Sequence, residues 1–206
     1  MTKMITSIAL FVCSLLSAQG QFEQGMGKAF GLWKEGKTTE ASDLFERIAA
    51  AEKSSWLPNY YVALVNTTTA FGTSDKEKIS LLLSKAQNAF DVELLKDTNN
   101  AELYVMQAMI NTAWIVADPM VNGMKLSGKV MELYTKAEAL APDNPRVVFS
   151  KADFQINGAK WTGADTKPLC AQLEKAIGLF ATFKPENAFS PKWGLDRATA
   201  ALKNCK

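Results

Sequence analysis

The stretch Leu133-Tyr134-Thr135-Lys136-Ala137-Glu138-Ala139-Leu140-Ala141-Pro142-Asp143-Asn144-Pro145 constrains the fold more than any other segment. Apolar residues recur at helical spacing up to Leu140, and Ala141-Pro142 then stops the helix, because the residue before a proline is driven out of the α region. A proline-punctuated turn follows, and a new helix starts at Pro145. Helices joined by so short a turn lie antiparallel and side by side.

The same punctuation recurs along the chain. From Gln21 onward helical periodicity is nearly continuous and strand alternation is missing, so the expected class is all-α. Nine helices are expected. The first covers 22–35 and stops at Gly36; the second covers 38–53, with Ala41, Phe45, Ile48 and Ala49 on one face. A third, opened by Pro58, covers 59–71 and is closed by Gly72; a fourth covers 75–96 behind the cap residues Thr73-Ser74-Asp75. The fifth covers 101–117 and ends before Asp118-Pro119, and the sixth, 124–140, leads into the junction above. The seventh covers 145–156, the glycine-punctuated segment 157–165 forms a loop, and the eighth covers 167–184. Ser190-Pro191 then caps a ninth helix, a terminal cap over about 190–205.

Residues 1–20 differ from the rest. Lys3 is their one charge, Met4 to Leu16 is an apolar run, and Ala18 and Gly20 stand where a signal peptidase requires small residues. The run falls short of the roughly 20 residues that span a bilayer. The expectation is a signal peptide over 1–20 and an exported repeat domain over 21–206, periplasmic or secreted. Val12 before Cys13 departs from the small residue that a lipoprotein signal carries there. Without Lys3, 22 basic residues face 21 acidic ones, which gives nucleic acid no electrostatic purchase.

Paired up, these helices resemble tetratricopeptide (TPR) repeats. In that family a small residue on the first helix admits its partner, a large apolar residue plugs in from the second helix, and proline ends the unit. The small positions fall on Ala29, Val65, Ala108 and Ala152, and the plugs on Phe45, Phe90, Tyr134 and Leu173. The small positions stand 36, 43 and 44 residues apart against roughly 34 in the family. The two longer intervals call for insertions, for which 116–123 and 157–165 are the candidates. The resemblance implies an α-solenoid of about four TPR-like helix pairs with a C-terminal capping helix; a generic helical bundle is the alternative. Residues 145–206 are also similar to exported TPR-like proteins of the bacterial envelope without assigned chemistry, through Trp161 to Gly163, Phe183-Lys184-Pro185 and Pro191-Lys192-Trp193-Gly194.

Nothing in the chain assembles a reaction centre. There is no histidine, so imidazole catalysis and histidine metal sites are excluded, and the cysteines lack metal-ligand spacing. Gln24 to Phe30 begins like a dinucleotide loop but carries Phe30 in place of the third glycine. Carboxylate pairs such as Asp43 and Glu46 sit in surface patterns. Of five tryptophans, Trp114 lies on an apolar helical run, which makes packing the default reading of the set. The expectation is a protein without enzymatic activity, cofactor or metal.

In TPR arrays the first helices line the concave groove. One residue beyond each small position, and one helical turn further on, the rule selects Phe30, Asn66, Met109 and Asp153, then Trp33, Thr69, Thr112 and Ile156. The resemblance thus implies an adaptor that holds a protein or peptide partner in this groove, with no membrane span after signal removal. A second reading is a small-ligand binder, of the kind that serves a transporter, with an apolar cavity around Phe30, Trp33, Met109 and Ile156.

Two cysteines remain after residue 20, Cys170 and Cys205. An antiparallel hairpin of the eighth and ninth helices, turning between Pro185 and Ser190, places them at the same end, within disulfide reach, and an exported chain oxidises such a pair. Alkylation of the unreduced, unfolded protein should therefore leave both cysteines unlabelled in mass spectrometry.

Overall fold

The computed structural model describes residues 19–205. Among these are nine helices and no strand: α1 (19–34), α2 (Thr38–Ala51), α3 (Leu57–Phe71), α4 (Lys76–Lys96), α5 (Ala101–Ala117), α6 (Pro119–Leu140), α7 (Pro145–Thr162), α8 (Lys167–Thr182) and α9 (Leu195–Lys203). The expected signal peptide and Cys13 lie outside the described residues, apart from Gln19 and Gly20, which open α1. None of the described helices is long and apolar enough to cross a membrane.

Local chemistry sets most boundaries. Gly36, at φ 79°, ends α1 in a left-handed turn in which the Lys37 N–H reaches the Leu32 carbonyl and the Gly36 N–H that of Trp33. Asp75, Asn100, Asp118 and Asn144 cap the helices that follow them by accepting backbone N–H bonds. Asp118 both ends α5 and caps α6, so one residue forms the whole link.

Consecutive helices pack as antiparallel pairs, α1/α2 through Phe30 on Phe45 and Gly25 on Ile48, then α3/α4, α5/α6 and α7/α8, and α9 packs on α8 and α7. All eight repeat positions read from the sequence are buried: Ala29, Val65, Ala108 and Ala152 admit the partner helices, and Phe45, Phe90, Tyr134 and Leu173 fill the space between. Cys170 and Cys205 are joined, with Cα atoms 5.8 Å apart, and the cystine pins the end of α9 to the start of α8.

The structure corrects three boundaries. Residues 116–123 are not a loop insertion, because Asp118-Pro119 is a cap and a first-turn proline as much as a stop, and α6 starts five residues early. Residues 157–162 continue α7, which ends only at Gly163 in the left-handed region. The ninth helix begins at Leu195 instead of Ser190, and residues 183–194 form an irregular strap.

That strap folds back across the first helices of the pairs, along α1 and over the N-terminal ends of α3 and α7. Arg146 of α7 stacks its guanidinium 4.6 Å from the Phe183 ring. Phe189 stacks on Phe30 and meets Phe22 edge-on, while its carbonyl accepts from the Tyr61 hydroxyl at 2.7 Å. The Trp193 indole N–H donates to the Tyr60 hydroxyl at 2.8 Å. Under the strap, α5 and α7 are locked by a buried ion pair. Arg146, 1% exposed, donates from Nε to both oxygens of Glu102 at 2.8 and 2.9 Å, and Asn144 donates to the same carboxylate at 2.6 Å.

Desolvating both charges offsets much of their attraction, but removing one alone strands the other in an apolar setting. Glu102→Ala should therefore lower the unfolding free energy in urea by about 3–5 kcal/mol, whereas the Glu102→Leu/Arg146→Met pair should recover most of that loss.

Candidate ligand cleft

The same face of first helices carries, toward their C-terminal ends, a cleft of about 1020 Å³. Its floor comes from Met109, Thr112, Ile115 and Val116 on α5, and one wall from Met120, Met124, Ser127, Met131 and Tyr134 on α6. The facing wall comes from Phe149, Asp153, Phe154, Asn157 and Trp161 on α7, with Arg197 of α9 at one side. The cleft opens where the first half of α6 and the end of α7 leave their side chains uncovered. The buried residues of α6 are Val130, Tyr134 and Ala137, all in the second half, and α7 likewise buries only Ala159 after Ala152.

The lip is strongly apolar and open to water: Met124 is 96% exposed, Met120 84% and Trp161 72%. Exposed apolar groups gathered along one concavity mark a binding surface more often than chance packing. Methionine suits the role because its unbranched thioether re-packs around irregular shapes. The volume lies just above the roughly 300–1,000 Å³ typical of small-molecule sites.

The deep end is polar. Tyr134 is fully enclosed, and burial, reinforced by the Asp153 carboxylate, pushes its phenol well above the usual tyrosine range against the pull of Arg197 and the Thr112 hydroxyl. It is a neutral hydrogen-bonding group at physiological pH. Burial also raises the Asp153 carboxyl above its ordinary value, and Arg197 and Asn157 oppose this only in part. Asn157 donates to the Asp153 carboxylate at 3.2 Å and to its carbonyl at 2.8 Å; Arg197 approaches the carboxylate at 3.5 Å. Among the described residues no cluster of acidic or sulfur groups could hold a metal ion.

The residues singled out in the sequence fall into separate places. Met109, Thr112 and Asp153 meet in the cleft. Phe30 and Trp33 stack together at the other end of the array, in an aromatic cluster with Phe45 and Tyr61 that Phe189 covers. Asn66 does not face the groove: it is buried between α2 and α3 and donates to Ser42 Oγ at 2.7 Å. The Thr69 hydroxyl folds back onto the Val65 carbonyl, and Ile156 packs beside the α7–α8–α9 cluster. Sequence reasoning missed the α6 wall. Met120, Met124, Ser127, Met131 and Tyr134 lie at i, i+4, i+7, i+11 and i+14, one helical stripe that becomes visible once the helix starts at Pro119.

No protein-family model matches the chain, and no curated protein matches its sequence. Two solved structures resemble it. The HusA haemophore from Porphyromonas gingivalis superposes with a TM-score of 0.77 at 24% identity, over 89% of this chain and 92% of that one. A thermophilic TPR protein of Thermus thermophilus superposes with a TM-score of 0.56 at 14% identity, over 88% of this chain and 99% of that one. The fold is a divergent TPR-like array.

Because the folded-state pKa of Asp153 is raised, the native chain takes up that proton at a higher pH than the unfolded chain does. The carboxylate therefore costs stability at neutral pH, and the cost disappears as pH falls through the raised value toward the ordinary carboxylate range. Asp153→Asn should stabilise the protein at pH 7 and lose that advantage at pH 4, as read from denaturant midpoints at the two pH values.

Proposed function

We propose that the protein is an exported, non-enzymatic binding protein that carries a large apolar ligand, of the size class of a tetrapyrrole, in the cleft between the third and fourth helix pairs. The observation that carries this reading is the cleft itself: about 1020 Å³, walled by methionines and aromatic rings, with an exposed Met124 and Trp161 on opposite lips. The likeness to a haemophore makes haem the first ligand to test. The signal-like residues 1–20 and the Cys170–Cys205 cystine support export.

The adaptor alternative has weaker support. The groove in which a TPR array would hold an extended peptide is, along α1 and at the N-terminal ends of α3 and α7, the bed of the chain's own strap. An incoming peptide would first have to displace Phe189 and Trp193.

Trp161 reports on the cleft. Titration of the protein with haemin and with iron-free protoporphyrin should quench tryptophan fluorescence saturably at one ligand per chain. Met124→Glu sets a charge on an apolar lip and should weaken binding about tenfold or more, while Leu81→Glu, on the exposed face of α4, should leave it unchanged. Unsaturable quenching, or equal loss in both variants, would count against the cleft.

A further inference from the structure

Arg197 is held in an unusual way for a cleft residue. It stands in the first turn of α9, a helix held by fully buried Ala198 beside it and by the cystine at Cys205 beyond its far end. Its guanidinium lies 5.7 Å from the Phe149 ring. Among the described residues its one polar side-chain contact is the 3.5 Å approach of Nη2 to Asp153 Oδ2. A guanidinium carries five N–H donors in a rigid fork, and a well-made carboxylate pair engages two of them at 2.7–2.9 Å. The partner carboxylate is meanwhile desolvated and satisfied from elsewhere, by the Asn157 amide. The Arg197 side chain is 53% exposed, so most of its fork faces the cleft and solvent. The other charged groups lining the cleft are Lys160, 5.9 Å over the Trp161 ring at the lip, and Asp165 beyond the end of α7.

We infer that Arg197 is an acid anchor, and that the ligand of the cleft is an apolar body bearing at least one carboxylate, which docks on the Arg197 fork in place of Asp153. The inference rests on the cleft reading and adds the ligand's head group to it. Asp153 keeps the fork aimed along α7 when the cleft is empty. A ligand carboxylate entering from the open side reaches the remaining donors in bidentate geometry, which Asp153, on the facing helix at a single long contact, does not. The methionine lips then cover the apolar body.

The test compares two probes with one ring system and different charge, protoporphyrin IX and its dimethyl ester, titrated in the same dilute detergent against three proteins. Wild type should prefer the acid by about tenfold or more, one well-made charge-assisted pair. Arg197→Met keeps a long unbranched side chain but removes the donors, and should abolish that preference without weakening the ester. Asp153→Asn removes the competing carboxylate and should tighten the acid severalfold with the ester unchanged, the reverse of what a merely structural ion pair predicts. Thermal melts within a few degrees of wild type confirm that both variants fold. Equal binding of acid and ester by wild type, or a preference that survives in Arg197→Met, overturns the anchor and leaves the cleft standing. If wild type binds neither probe, the cleft reading and the anchor fall together.

Discussion

Trp193 joins parts of the molecule that an open helical array would leave independent. Its ring packs at the edges of three of the four hydrophobic clusters among the described residues, and its N–H donates to Tyr60, 133 positions earlier in the chain. In a solenoid each repeat touches only its neighbours, and stability is close to a sum over repeats and their interfaces. The strap breaks that rule by running from the last pair back to the first two. Tryptophan fits the task because it offers a large apolar face together with one polar donor, and the Tyr60 hydroxyl satisfies that donor inside the core. The next residue has to be glycine: Gly194 sits at φ 117°, and a Cβ there would come within 2.6 Å of the Phe180 ring.

From this closure follows the division of the array's inner face. Along α1 and at the N-terminal ends of α3, α5 and α7, Phe183, Phe189 and Trp193 cover the aromatic cluster and the Arg146–Glu102 pair, so that half is core. The C-terminal ends of α5 and α7 receive no such cover, and there the face remains open as the cleft. A single chain thus fills half of its groove with itself and leaves the other half open.

How much of this the sequence disclosed depends on whether the controlling interaction is local. The small and plug positions from Ala29 to Leu173 repeat at helical spacing, and every one of them is buried. Cys170 and Cys205 pair because a hairpin makes equidistant residues neighbours, which residue numbers alone express. Asp118-Pro119 is ambiguous, since a proline that cannot continue one helix is well placed in the first turn of the next; capping by Asp118 of the Val121 N–H decides between them. Gly158 sits within α7, where the helix continues to Gly163, at a modest cost in backbone entropy. Asn66 reads as a surface polar residue, yet it is buried because Ser42 on the neighbouring helix satisfies its amide. The strap's course was illegible, since Trp193 finds Tyr60 through tertiary packing and no local pattern encodes the pairing.

The departures from regular repeat spacing are where the candidate site lies. Between Ala108 and Ala152 the interval is 44 residues, and the surplus over a roughly 34-residue repeat goes largely into α6, which at 22 residues is the longest described helix. Its first half runs beside α5, to which one residue joins it, yet buries no side chain of its own. Apolar residues there gain nothing from the fold, and at full exposure they favour association, so a chain selected for stability alone would place charges along them. This chain instead places Met120 and Met124 there, opposite Trp161, above an enclosed Tyr134 and a loosely held Arg197. Such a surface reaches the burial that its residues favour only when something occupies it.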